Sequence, residues 1–194
     1  HDHVKETVLE RLQHIETGRL KLVANLPYNI ATPLISNLLH WDRMPDMMVV
    51  TIQKELAERI MAVPSTKDYS ALSIWIQSLA EVELIRELPP SVFWPQPKVD
   101  SAIIRIQTSE PKRQQIPDLG FYHRFVRSLF FHRRKYLRSV LNSAFKYELE
   151  KADVDAVLDS SEFSAEMRAE QLPVEQIQRL SELMRQKVIE KSSA

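Results

Sequence analysis

The residues best suited to chemistry in this chain are Asn25-Leu26-Pro27-Tyr28-Asn29, which follow the apolar run Leu20–Ala24. An amide, a proline and an aromatic ring at the end of a β-like run suit a planar, nitrogen-bearing ligand. The Asn25 side chain can accept a hydrogen bond through its carbonyl. Pro27 has no N–H and a fixed φ, so it pins the turn and leaves neighbouring carbonyls free as acceptors. Tyr28 offers a ring face for base stacking. The group this arrangement would address is an exocyclic amino group on a nucleobase. The structural alternative is a strand running into a proline turn with a buried tyrosine.

Two further stretches bear on that choice. Pro89-Pro90-Ser91-Val92-Phe93-Trp94-Pro95-Gln96-Pro97-Lys98-Val99 reads as a proline-fixed loop between two strands. Such a loop costs little entropy to hold open and can present Phe93 to a ligand; the opposing reading buries Phe93 and Trp94 as a clamp. The third stretch is Phe130-Phe131-His132-Arg133-Arg134-Lys135-Tyr136-Leu137-Arg138. Arg127, Arg134 and Arg138 are spaced i, i+7, i+11, which predicts one helix face, with Phe121, Phe125, Leu137 and Leu141 on the other. Guanidinium forks suit phosphates, so Arg127, Arg133, Arg134, Lys135 and Arg138 are the candidate RNA contacts. No base-reading code accompanies them, which fits recognition of folded RNA by shape and backbone.

The charge distribution agrees. The 194 residues carry 26 Lys/Arg and 26 Asp/Glu, a net of zero. Residues 1–108 hold 11 basic and 13 acidic side chains, whereas residues 119–147 hold 7 basic and none acidic. Residues 148–194 hold 6 basic against 11 acidic. A neutral total therefore hides a basic block of the kind that meets phosphates, or a solvated helix face. With no cysteine, disulfides and thiolate zinc sites are excluded and a cytoplasmic home is expected. The histidines lack metal-ligand spacing, so no metal is expected, and no apolar run approaches the roughly 18 residues of a membrane span.

These groups need a scaffold. Val4–Ile15 has helical periodicity, with Gly18 as its stop. Leu20–Ala24 and Met47–Gln53 read as buried strands. Thr32–His40 is expected to be a helix with Thr32 as N-cap and Pro33 at the first helical position. Lys54–Val63 and Ser70–Leu79 follow as helices around a loop over 64–69. Val82–Leu88 and Ser101–Gln107 alternate, which suits strands near a sheet edge. Strands alternating with helices indicate an α/β sheet. Glu110–Pro117, polar with two prolines, reads as a linker, and Phe121–Phe131, Arg134–Phe145, Val154–Leu158 and Val174–Val188 read as helices. The expected division is an α/β part over 1–109 and a small all-helical domain over 110–194.

In order along the chain, NLPYNIATPL (25–34), QKELAER (53–59), KDYSAL (67–72), PPSVFWPQPKVDSA (89–102), FHRRKYLRSVL (131–141) and RAEQLPVEQIQRLSEL (168–183) resemble the KsgA-type small-subunit rRNA adenine dimethyltransferases. The resemblance spans nearly the whole chain. It implies a partial Rossmann-like class I methyltransferase sheet, transfer from S-adenosylmethionine to N6 of two adjacent adenines near the 3′ end of small-subunit rRNA, and a monomer acting on the immature small subunit. It implies that Asn25 and the carbonyl of Leu26 accept from the adenine amino group, that Tyr28 and Phe93 close on the two faces of the base, and that Asn25 also lies close to the cofactor. Pro27 holds the turn. Two alternatives share the fold: a catalytically silent rRNA-binding assembly or transcription factor, and a large-subunit rRNA adenine methyltransferase, which matches 67–72 and 168–183 poorly.

The family's glycine-rich cofactor loop, its acidic ribose ligand and an acidic residue near the adenine precede the matched part, and this chain has only Gly18 and Gly120. Asp2, in Asp-His-Val, is a poor match for the last of these. The opening residues do not read as a signal peptide and lack an initiator methionine. The expectation is therefore the C-terminal two-thirds of a longer enzyme, inactive alone. Calorimetry of this chain with S-adenosylmethionine should show weak binding or none; micromolar affinity would overturn that.

Overall fold

The computed structural model describes residues 18–193; Asp2 and the helix expected over Val4–Ile15 lie outside them. Gly18 has φ 131°, a conformation that other residues rarely adopt. Four strands, β1 (Lys21–Asn25), β2 (Met47–Gln53), β3 (Ala80–Leu88) and β4 (Ser101–Thr108), form a sheet in the order β1-β2-β4-β3. β1 and β2 are parallel and are joined by a crossover helix, α1 (Tyr28–His40). β4 runs antiparallel to both β2 and β3, with a register shift between Leu84 and Arg86.

Alternation makes one face of this sheet apolar. Met48, Val50 and Ile52 of β2 pair with Ile106, Ile104 and Ala102 of β4, and all six are fully buried. α1 covers them with Ala31, Ile35 and Leu39, and α2 (Lys54–Met61) with Leu56, Ala57 and Ile60. α3 (Ala71–Gln77) adds Ile74, Trp75 and Ile76. Each large aliphatic side chain buried this way is worth about 1.5–3 kcal/mol. Asp46 stitches the N-terminal ends of β1 and β2 to the C-terminal end of β4: its carboxylate accepts from Leu20 N at 2.6 Å, and its carbonyl accepts from Thr108 N at 3.1 Å. The opposite, C-terminal end of β1 is left for the turn at Asn25.

Four sequence expectations need correction. β1 is an edge strand of the described sheet rather than a buried one: Val23 is 75% exposed. β4 is an interior strand, and its alternation reflects the open face of the sheet, where Arg105 pairs with Glu83. α1 starts at Tyr28, not at a Thr32 cap, so Pro33 lies inside it. Pro27 sets the N-cap at φ −56°, and Asn29, whose carbonyl loses its partner to Pro33, is exposed to water. Finally, the expected linker holds a short helix, α4 (Glu110–Gln114). Pro111 sits in its first turn, where a missing N–H costs nothing, and Ser109 caps it through Lys112 N at 3.4 Å.

From α4 onward the described residues are helical: α5 (Leu119–Leu129), α6 (Leu137–Ala144), α7 (Lys151–Asp159) and α8 (Val174–Ser192). Asp118 caps α5 through Phe121 N at 2.8 Å. Phe121, Phe125 and Phe145 meet ring to ring, within 5.9–6.3 Å. The core runs without a break from sheet to helices: Ser78 and Tyr122 share a 2.6 Å hydrogen bond, and Trp75 lies 4.5 Å from the ring of His123. No described helix is long and apolar enough to cross a membrane.

His40 (at the end of α1) packs 5.5 Å from His123 in α5. Burial first, then His40 and Arg127, hold the His123 imidazole below its ordinary value of 6.5. The unfolded chain therefore takes up this proton more readily than the folded one. The stability it contributes is complete above about pH 6.5 and declines as pH falls below that. Thermal unfolding should show a lower midpoint at about pH 5.5 than at about pH 7.5, and His123→Phe should flatten that part of the slope. An unchanged slope would show that the imidazole does not couple to folding.

Candidate active site

β1 delivers Asn25 to its C-terminal end, opposite Thr51 of β2. The ladder continues one residue further: Leu26 N donates to Thr51 O at 3.1 Å. The Leu26 side chain is only 5% exposed, so the backbone here is anchored from inside. Asn25 and Pro27, on either side, are exposed. Among the described residues nothing donates to the Leu26 carbonyl. The first backbone bond of the turn goes to its neighbour, Ile30 N to Pro27 O at 3.1 Å. Tyr28 opens α1 with its ring half-buried, and its hydroxyl shares a 2.7 Å hydrogen bond with Ser101, the first residue of β4.

The second wall is the segment between Leu88 and Ser101, which are paired residues of β3 and β4. A 3-10 turn over Pro90–Val92 starts it, and Phe93 N donates to Pro90 O at 3.2 Å. Phe93 is half-buried and Trp94 is exposed, so this loop does not clamp both rings into the core. Asn25, Leu26, Pro27, Tyr28, Phe93, Trp94, Pro95 and Pro97 line one open cleft of about 330 Å³. Asn25, Leu26, Pro27, Tyr28 and Phe93 therefore meet there, while Asn29 is not in the lining. Among the described residues its lining holds one titratable group, the Tyr28 phenol. The cleft can therefore accept hydrogen bonds and stack a ring.

Ser101 was not singled out in the sequence, although it lies within the 89–102 stretch. Fully buried and bonded to Tyr28, it fixes the ring's position relative to the sheet. The signal was present as a serine opening the alternating run of β4.

The basic block is arranged otherwise than expected. Residues 130–136 form turns between α5 and α6, so Arg127, Arg134 and Arg138 do not share a helix face. Phe121, Phe125, Leu137 and Leu141 are all buried, as the pattern required. Arg133 is held internally: it donates to Glu170, to Lys67 O and, at 2.7 Å, to Thr66 O. The same junction includes Tyr69 donating to Leu172 O at 3.0 Å, so stretches 67–72 and 168–183 meet through it. Arg138 forms a two-pronged pair with Asp155, both contacts at 2.6 Å, which holds that carboxyl below the usual range. Arg127, Arg134 and Lys135 are exposed. No cluster of three metal-ligating side chains occurs among the described residues.

Residues 3–186 match the family described as Ribosomal RNA adenine dimethylase. The chain is 37% identical over 91% of its length to "Ribosomal RNA small subunit methyltransferase A" of Halothermothrix orenii, and 40% identical over 90% to the protein of that name in Lactiplantibacillus plantarum. It spans 58% and 60% of the length of those relatives. Among solved structures it resembles a dimethyladenosine transferase from Plasmodium falciparum, with a TM-score of 0.78 and 25% identity over 90% of this chain and 70% of that one. It also resembles the 23S rRNA methyltransferase ErmE in fold, with a TM-score of 0.56 and 22% identity over 90% of this chain and 69% of that one. The sheet and its helices are thus a Rossmann-like methyltransferase fold.

The contacts of Arg133 and Arg134 separate two roles in one run. Arg133→Ala should lower unfolding stability by roughly 1 kcal/mol or more, because it releases the junction of 63–69 with 168–172. Arg134→Ala should stay within about 0.5 kcal/mol of the parent. Denaturant titration of both variants checks this, and equal effects would refute it.

Proposed function

Because the chain belongs to the ribosomal RNA adenine dimethylase family, we propose that its protein dimethylates N6 of two adjacent adenines near the 3′ end of small-subunit rRNA during ribosome biogenesis, with S-adenosylmethionine as methyl donor. The observation that carries this reading is the single cleft that collects Asn25, Leu26, Tyr28 and Phe93. Identities of 37% and 40% to relatives named as small-subunit rRNA methyltransferases favour the small-subunit target.

In this reading the Asn25 amide oxygen and the Leu26 carbonyl accept the two protons of the adenine amino group. That nitrogen is a poor nucleophile because its lone pair is delocalised into the ring. Two acceptors on its protons favour pyramidalisation and turn the lone pair outward. Tyr28, steadied by Ser101, and Phe93 hold the extruded base by stacking, worth roughly 1–3 kcal/mol per ring. Alignment of the two reacting centres supplies much of the rest, and the step requires no strong general base.

S-adenosylmethionine, when bound, supplies the electrophilic methyl carbon. Of the described residues Asn25 fits its neighbourhood, being exposed at the C-terminal end of β1. The chain's two glycines do not fit a phosphate-loop or cofactor cradle: Gly18 precedes β1 at its other end, and Gly120 lies within α5. Residues 1–109 would then be the later part of a catalytic domain and 110–194 a helical RNA-binding domain. Arg127, Arg134 and Lys135 are the contacts we favour for the rRNA backbone; Arg133 and Arg138 already have internal partners. The protein would act as a cytoplasmic monomer on the immature small subunit.

A methylation assay on the full-length protein tests this. Asn25→Ala should reduce transfer about 100-fold or more while RNA affinity stays within about twofold. Transfer persisting at the parent rate would sink the reading.

A further inference from the structure

The cleft accounts for Phe93 but leaves its neighbour unexplained. Trp94 is 97% exposed, so its indole contributes almost nothing to packing. Trp75, by contrast, is buried in the core. The backbone that carries Trp94 is set in advance. Pro89, Pro90, Pro95 and Pro97 fix their own φ angles, and Val92 N and Phe93 N donate to Pro89 O and Pro90 O, both at 3.2 Å. Both ends of the loop are tied down: Leu88 pairs with Ser101, and Lys54 N donates to Asp100 O at 3.0 Å. A large apolar ring is therefore displayed to solvent on a platform that loses little conformational entropy when something binds to it.

Its position points to what that something is. Trp94 lines the same cleft as Tyr28 and Phe93, yet is almost wholly exposed where Phe93 is half-buried. Drawing a base out of its stack leaves the neighbouring base with one bare face. An indole at the mouth of the cleft can cover that face, and base–aromatic stacking tolerates any base because each has a π-face. Resting on the reading of the cleft as an adenine site, we propose that Trp94 is a stacking platform for the unpaired purine next to the adenine held there, a second base subsite outside the first. It would bind single-stranded RNA two nucleotides at a time, and it would hold the second base in line to enter when the first is released.

The test is RNA binding to the full chain, with a labelled hairpin carrying two adjacent unpaired adenines. Trp94→Ala should bind about tenfold more weakly, about 1.4 kcal/mol. Trp94→Phe should recover most of that loss, and neither change should move the thermal midpoint. Making the neighbouring nucleotide abasic should weaken the parent tenfold and leave Trp94→Ala no weaker than before. Equal affinity of Trp94→Ala and parent overturns the proposal, as does an undiminished loss on the abasic RNA. Asn25→Ala should leave this binding difference intact, so the subsite and the methyl-transfer reading can fail separately.

Discussion

The geometry of the site depends on one backbone hydrogen bond, from Leu26 N to Thr51 O at 3.1 Å. It carries the parallel ladder of β1 and β2 one residue past the strand, while the buried Leu26 side chain holds that residue from the core side. A residue fixed in this way forces its neighbours outward. Asn25 is left exposed at the strand's end, lining the cleft, and Pro27 turns the chain directly into α1. If Leu26 slipped by one position, alternation would reverse which of these side chains face the core.

The second half of the site is held by different means. The wall formed by Phe93 lies on a loop of prolines and short turns, and its ends are closed by the pairing of β3 with β4. Ser101 links the two halves, because it begins β4 and also bonds Tyr28. Among the described residues the resulting cleft presents acceptors and rings on a frame held by strand pairing and prolines. A rigid frame is what positioning of a bound ring requires.

In the helical half, charge serves two purposes. Arg133 and Arg138 lie within the basic stretch, yet one holds the 66–67 backbone to Glu170 and the other pairs with Asp155. The acidic excess of 148–194 supplies both carboxylates. Only part of the net positive charge of 119–147 therefore faces outward. The continuous core through Trp75, Tyr122 and His123 ties this half to the sheet, so the exposed Arg127, Arg134 and Lys135 and the cleft belong to one packed body.

Much of this was legible in the sequence because it is local. Alternation marked β3 and β4, apolar runs marked β1 and β2, helical periodicity marked α5 and α6, and Asn25, Leu26, Pro27 and Tyr28 are consecutive, so their meeting needed no fold. Thr32-Pro33 has the pattern of a helix start, but Pro27 already sets the N-cap of α1 and the helix runs on through Pro33. The expected linker became α4 because Ser109 caps it and Pro111 sits in its first turn. What the chain could not show locally was every contact between distant residues. Phe93 joins Tyr28 in one cleft, Ser101 reaches Tyr28, and Arg133 is drawn inward to Thr66, Lys67 and Glu170. Residue types and spacing determine which groups are available and how each segment folds. Which of them meet, and which are consumed by internal partners, follows from strand order and packing, which no local pattern encodes.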